Sequence, residues 1–166
     1  MIEAIKEFFI GNFGSKFGVF FCSMLPIIEL RGSIPLGAAL GLPWYTNYIV
    51  SAFGNLIPVP FILLLINKII DWMKTTKLFS RFALWLERKA EKNRSKLEKG
   101  IFIGLMLFVA IPIPGTGAWT GALLASLAGV KFKKSMLAIA IGVLIAGVIM
   151  TLASYAVVGF LSFLNN

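Results

Sequence analysis

Three stretches of this chain, Gly32 to Asn67, Gly100 to Val130 and Ser135 to Asn166, contain no Asp, Glu, Lys or Arg. Each is longer than the roughly 20 apolar residues that cross a hydrocarbon core about 30 Å thick. A water-soluble domain needs a polar shell, with about a quarter of its residues charged. Here 14% are charged and 58% are hydrophobic. The fold class that follows is all-α integral membrane and multi-pass, in a cell (inner or plasma) membrane. The same counts narrow the chemistry. The chain has no His and one Cys, so the common zinc sites and His-based catalysis are out of reach. Cys22 has no partner for a disulfide within the chain and reads as a small buried hydrophobe. No cofactor, metal or catalytic residue is expected, and the chain does not read as an enzyme. Glu3 and Glu7 spoil a basic signal-peptide start, so the mature chain is expected to begin at or near Met1.

The apolar runs are not uniform. Residues 2–13 mix charge with aromatics and suggest a short interfacial helix. An apolar arm from Phe17 to Ile28 is followed by Glu29-Leu30-Arg31-Gly32 and a second arm ending at Leu42. Each arm, at about 1.5 Å per residue, is roughly 16–18 Å long and too short to cross alone. A re-entrant hairpin with its irregular tip at depth is the expected arrangement, covered there by protein or water. Thr46 to about Ile70 is then a full span, with Trp44, Tyr45 and Tyr48 at one end and Trp72 at the other. Pro58 and Pro60 near its middle each remove a backbone hydrogen bond, and Asn55 lies one turn earlier. Residues 73–99 are basic with apolar residues at helical spacing, the pattern of an amphipathic helix on an anionic lipid surface. Binding of nucleic acid is not expected, because the apolar flanks already hold that segment at a membrane. The plan then repeats. Gly100 to Ile111 and Ala118 to Val130 form two short arms around Pro112 to Gly117, and Met136 to Phe163 is a second span. Ala138, Gly142 and Ala146 make a small-residue stripe along it, suited to close packing.

The chain therefore reads as two re-entrant helical hairpins plus two main transmembrane helices, with a basic amphipathic surface helix between half-repeats 1–72 and 100–166. The offsets between corresponding centres, about 85–91 residues, come from hydropathy rather than identity. A hairpin returns to its own side and a span crosses once, so the second unit is expected upside down, an inverted repeat of the kind found in secondary transporters. Of the 16 Lys and Arg residues, 13 fall between Lys68 and Lys99 or at Lys131, Lys133 and Lys134. The positive-inside rule then puts residues 73–99 and 131–134 in the cytoplasm, with both termini outside.

Glu29 is the one acidic residue inside a long apolar region, and Arg31 is two positions away. A charge at the bilayer centre costs about 2.5–3.5 kcal/mol on insertion scales, which makes such a pair a functional-site candidate. Beside it, Gly32 and Ser33 are expected to open the returning half-helix, with Ser33 as its cap and Pro35 in its first turn. In the second hairpin Pro114, Gly115, Thr116 and Gly117 precede another helix start, with Trp119 and Thr120 close by. Helix starts carry free N–H groups and partial positive charge, a setting for an anionic headgroup. Glu29 could titrate there and couple a proton to transport. The expected substrate- and proton-binding residues are thus Glu29, Arg31, Gly32, Ser33, Asn55, Pro58, Pro60, Pro114, Gly115, Thr116, Gly117, Trp119 and Thr120.

The stretches ELRGSIPLGAALGLP (Glu29 to Pro43), IPVPF (Ile57 to Phe61) and IPIPGTGAWTGALLA (Ile111 to Ala125) resemble the hallmark motifs of the small multidrug export proteins, a family similar to the DedA superfamily. That resemblance implies two opposed re-entrant hairpins, proton-dependent transport and the moving of lipid carriers such as undecaprenyl phosphate. It also implies an acidic residue in the first hairpin, matched by Glu29, and an arginine in the second. This chain departs there, since Arg31 lies in the first hairpin. The leading functional expectation is a transporter or flippase of a small or amphipathic substrate, such as an anionic lipid carrier of the polyprenyl phosphate type. Its rivals are a proton-coupled exporter of cationic drugs, with Glu29 as the binding carboxylate, and a scaffold that transports nothing. Membrane lipids are the expected surroundings, and the small size points to a homodimer.

Overall fold

The computed structural model of the chain describes residues 14–75, 94–113 and 115–164. Among them all regular elements are helices: α1 (residues 14–24), α2 (Glu29–Ala39), α3 (Trp44–Leu56), α4 (Pro58–Thr75), α5 (Arg94–Ala110), α6 (Ala118–Leu127) and α7 (Phe132–Leu164). Two stretches are long and apolar enough to cross a membrane, Trp44–Ile66, which takes in α3 and the start of α4, and Phe132–Leu164. The expected interfacial helix at 2–13 lies outside the described residues. So does most of the expected surface helix at 73–99, of which 73–75 end α4 and 94–99 begin α5.

Local chemistry explains each interruption. The first helical pair breaks at residues 25–28, not at Glu29–Gly32 as the charge pattern suggested. Pro26 is the cause, because a proline disfavours helical backbone in the residue before it. The Leu25 carbonyl then closes the turn by accepting from both the Ile28 and Glu29 amides, at 3.2 and 2.9 Å. As a result α2 starts four residues earlier than the expected Ser33 cap. Ile28 precedes it without a side-chain cap, and Pro35 is inside the helix rather than in its first turn. Pro58 begins α4, a position where its missing N–H is harmless. The second pair breaks over residues 111–117, around Pro112 as expected. There Gly117, with φ 152° and ψ −173°, occupies a backbone region open in practice to glycine alone.

The second arms of the two pairs end alike. After α2 the Leu42 amide bonds to the Gly37 carbonyl and the Gly41 amide to the Ala38 carbonyl, each at 3.0 Å. After α6 the Val130 amide bonds to the Ala125 carbonyl and the Gly129 amide to the Ser126 carbonyl, again at 3.0 Å. Both are Schellman closures, with Gly41 (φ 74°) and Gly129 (φ 66°) in the left-handed position.

The chain forms two compact units, one made of Met1–Ile57 with Val143–Asn166, the other of Pro58–Gly142. In the first, Leu30 and Ile34 of α2 pack on Ala146 of α7, with Met150 against them. Gly147 admits Tyr48 and Leu30, and Gly54 admits Ser23 and the Phe20 carbonyl, so α7 and α1 both approach α3 closely. In the second unit α6 packs against α4 and α5. Gly121 meets Val109, and Gly142 meets Val109 and the Met106 carbonyl, a close helix contact of the kind the small-residue stripe suggested. The outside is apolar: Ile49, Phe53, Phe61, Leu65, Leu152, Phe160 and Phe163 are all more than half exposed. Exposed apolar side chains of this size and number belong in lipid. The protein is an all-helical membrane protein.

Candidate functional site

The first unit has a polar interior. Ser23, Ser33, Asn47, Ser51 and Asn55 are fully buried, and Glu29 is 4% exposed. Glu29 is the first residue of α2 and has φ 49°, the left-handed region in a non-glycine residue. That conformation matters for its partner. Residues two apart on a regular helix point away from each other. With Glu29 turned out of helical geometry, the Arg31 guanidinium reaches its carboxylate, NH1 donating to Oε2 at 3.2 Å. The carboxylate also sits at the positive end of α2. Gly32 is required beside it, because a Cβ there would meet the Ile28 side chain at 2.5 Å.

Asn47, Ser51 and Asn55 recur every fourth residue and so form one inward stripe on α3. Asn47 is tightly held: Nδ2 donates to the Ile34 carbonyl at 2.7 Å and to the Tyr155 hydroxyl at 3.2 Å. Tyr155 in turn donates to the Leu42 carbonyl, and the Ser51 hydroxyl donates to Asn47 Oδ1 at 3.4 Å. Asn47 also fills the notch left by Gly37. Deeper in, the bonding stops. Both amide atoms of Asn55, and the hydroxyls of Ser33 and Thr151, are buried with no hydrogen-bond partner among the described residues.

Register places these groups. Asn47 stands opposite residues 34–37 of α2. Eight residues along α3, about 12 Å, is Asn55, and the same distance back along the antiparallel α2 from Gly37 reaches its first residue, Glu29. Asn55 is therefore level with the start of α2 and Glu29, while Ser51 is level with Arg31 and Ser33. Glu29, Arg31, Gly32, Ser33 and Asn55, singled out in the sequence, thus belong to one unit and one end of it.

The other expected site residues belong to the second unit, apart from Pro114, which lies outside the described residues. Pro58 and Pro60 begin α4. Gly117 is the N-cap of α6 and gives no side-chain cap. Thr116 is turned back into the break, its hydroxyl 2.9 Å from the Ile111 carbonyl and 2.8 Å from that of Ile113. Gly115 has φ 85°, and Trp119 and Thr120 are half-buried in the first turn of α6.

The family model described as "Putative small multi-drug export protein" matches residues 29–149. The chain belongs to that family. The matched stretch opens on Glu29 itself and takes in α2 through α6 and the first half of α7. No curated protein and no solved structure matches the chain.

Sequence reasoning missed Asn47, Ser51, Thr151 and Tyr155. The four-residue spacing of Asn47, Ser51 and Asn55 was a legible signal for the first two. Thr151 and Tyr155 become visible only once α7 is packed on α3.

Proposed function

We propose that this protein is a membrane transporter that exports small amphipathic molecules, holding the substrate's polar group at Glu29, Arg31, Ser33 and Asn55. The observation that carries the reading is Asn55, a fully buried carboxamide with neither atom partnered among the described residues, on the same end of the unit as a part-buried ion pair. A buried polar group without a partner costs more than a hydrogen bond returns, so it persists where something else supplies the partner.

Depth supports the same reading. Asn55 is the midpoint of the candidate span Trp44–Ile66, whose 23 residues cover about 35 Å as helix. Trp44 and Tyr45, both more than half exposed, mark one end as interfacial. Gly54 meets residues 20 and 23 of α1, yet register places it beside the start of α2. Two arms at one height fit a chain that doubles back at residues 25–28, which supports reading the pair as a re-entrant hairpin with its tip at mid-membrane. Each unit contains one broken helical pair and a part of each candidate span. Gly41 and Gly129 are 88 positions apart, as are the starts of α3 and α7. The matching pair, closing glycine and spacing support the reading of an inverted repeat.

The ion pair sets the exchange chemistry. A cation that pairs with Glu29 releases the Arg31 guanidinium, which must then turn to water or to an anion so that no bare charge is left in the membrane. Glu29 is fixed by backbone, whereas Arg31 is a longer and more exposed side chain, 15% against 6%. An amphipathic cation displacing Arg31 from Glu29 is the exchange this asymmetry favours, in accord with the family's description. A second reading, an anionic lipid carrier such as a polyprenyl phosphate, is favoured by Arg31 standing beside the N-terminus of α2. Proteoliposomes loaded in parallel with a cationic dye and a labelled lipid phosphate distinguish the two. Export of the dye, lost in Glu29→Gln and Asn55→Ala, supports the proposal. Undiminished transport of both cargoes by both variants refutes it.

A further inference from the structure

The buried polar residues of the first unit are ordered by height. Tyr155, half-buried, and Asn47 come first, then Ser51, Ser33 and Thr151, then Asn55 and Glu29. The upper members are linked directly, Tyr155 to Asn47 to Ser51. The lower ones, Ser33, Thr151 and Asn55, are buried and without hydrogen-bond partners among the described residues. From these observations we infer that the first unit contains a one-sided water path, running from the Trp44 end along Asn47, Ser51 and Asn55 to Glu29.

Three arguments converge on it. A substrate group at Glu29 accounts for Asn55 and Ser33 but not for Thr151, which is about a turn nearer the surface. Ser51 bonds directly to Asn47, but the next step of the ladder, one turn or about 6 Å on from Ser51 to Asn55, is bridged by no direct bond among the described residues. That gap is the span of one water making two ordinary hydrogen bonds. A buried water needs two to four polar partners, and the ladder offers them at each step, with the Asn55 amide able to donate twice and accept twice. The other faces of these helices offer nothing comparable: Leu30, Ile34, Val19 and Ala146 are buried and apolar.

The path deepens the proposed function, since it names how Glu29 is reached from water, and it rests on the tip lying at mid-membrane. Its test has no transport readout, so the two can fail separately. In a Cys22→Ala background, Ser51→Cys and Asn55→Cys are reconstituted, with Ile34→Cys and Leu63→Cys as buried apolar controls. Silver ion, which follows water, is added to one side at a time. Both ladder thiols should react from the Trp44 side about tenfold faster than the controls, or ~1.4 kcal/mol in access. Reaction at control rates, or equally from both sides, overturns the inference. The wild-type protein gives an independent measurement should a variant misfold: water-edited solid-state NMR of the asparagine side-chain amides in bilayers. Rapid transfer from water to the Asn47 and Asn55 amides is expected, and transfer as slow as to buried Leu30 methyls overturns it.

Discussion

Replacing Gly37 by alanine tests the packing that holds the polar stripe in place. A Cβ at Gly37 would stand 2.5 Å from Asn47 Cγ and 2.7 Å from Nδ2, with Oδ1 closer still. Ordinary carbon contacts are about 3.5–4.0 Å, so the carboxamide must shift by roughly 1 Å. Overpacking of this kind costs about 1–3 kcal/mol. The shift also breaks the bonds from Asn47 to the Ile34 carbonyl and the Tyr155 hydroxyl, worth about 1 kcal/mol each. Alanine's helix preference returns about 0.5–1 kcal/mol. The net expectation is a loss of about 2–4 kcal/mol, read as a shift in reversible unfolding by denaturing detergent in mixed micelles. Gly104→Ala, where nothing lies within 4 Å of the added methyl, is the matched control and should be neutral or mildly stabilising. Adding Asn47→Ala should shrink the Gly37→Ala penalty, because the two side chains are in direct contact. If Gly37→Ala proves as harmless as Gly104→Ala, the argument that Asn47 is locked in the Gly37 notch is wrong.

Further outcomes follow from the same geometry. Glu29→Ala removes the carboxylate that pairs with a part-buried guanidinium and should cost about 1–3 kcal/mol in the same unfolding assay, whereas the double change Glu29→Gln with Arg31→Met should cost distinctly less. Gly117→Ala forces a side chain into a glycine-only backbone region and should cost about 1–3 kcal/mol, with loss of expression as a second readout. Tyr155→Phe removes the hydroxyl that joins Asn47 to the Leu42 carbonyl; a loss of about 1–3 kcal/mol is expected, with the native oligomeric state retained by size-exclusion chromatography.

The membrane class and the breaks in the apolar runs were legible because both follow from local residue chemistry. Length and absence of charge select the bilayer, and Pro58, Pro112 and Gly117 interrupt helices wherever they fall. The first break was misplaced by weighting the charges of Glu29 and Arg31 over Pro26. Charge sets where a residue is costly, but the backbone is stopped by the ring that clashes with its neighbour. The expected Ser33 cap failed for the same reason, since an earlier break starts α2 earlier. The pairing of Glu29 with Arg31 could not be deduced from spacing, because it depends on one left-handed residue. Nor could the roles of Thr151 and Tyr155, which arise from packing between residues more than 90 positions apart.

The account depends on Glu29 and its turn lying near the middle of the membrane rather than at its surface. Ile27, in that turn and 95% exposed, can carry a nitroxide label without disturbing the packing. Power-saturation EPR of Ile27→Cys in a Cys22→Ala background, calibrated against Trp44→Cys, measures its depth in bilayers. The label at position 27 is predicted to lie about 15 Å below the interface, oxygen-accessible and shielded from a polar nickel chelate. A label as shallow as that at position 44, or one relaxed mainly by the nickel chelate, would contradict the account.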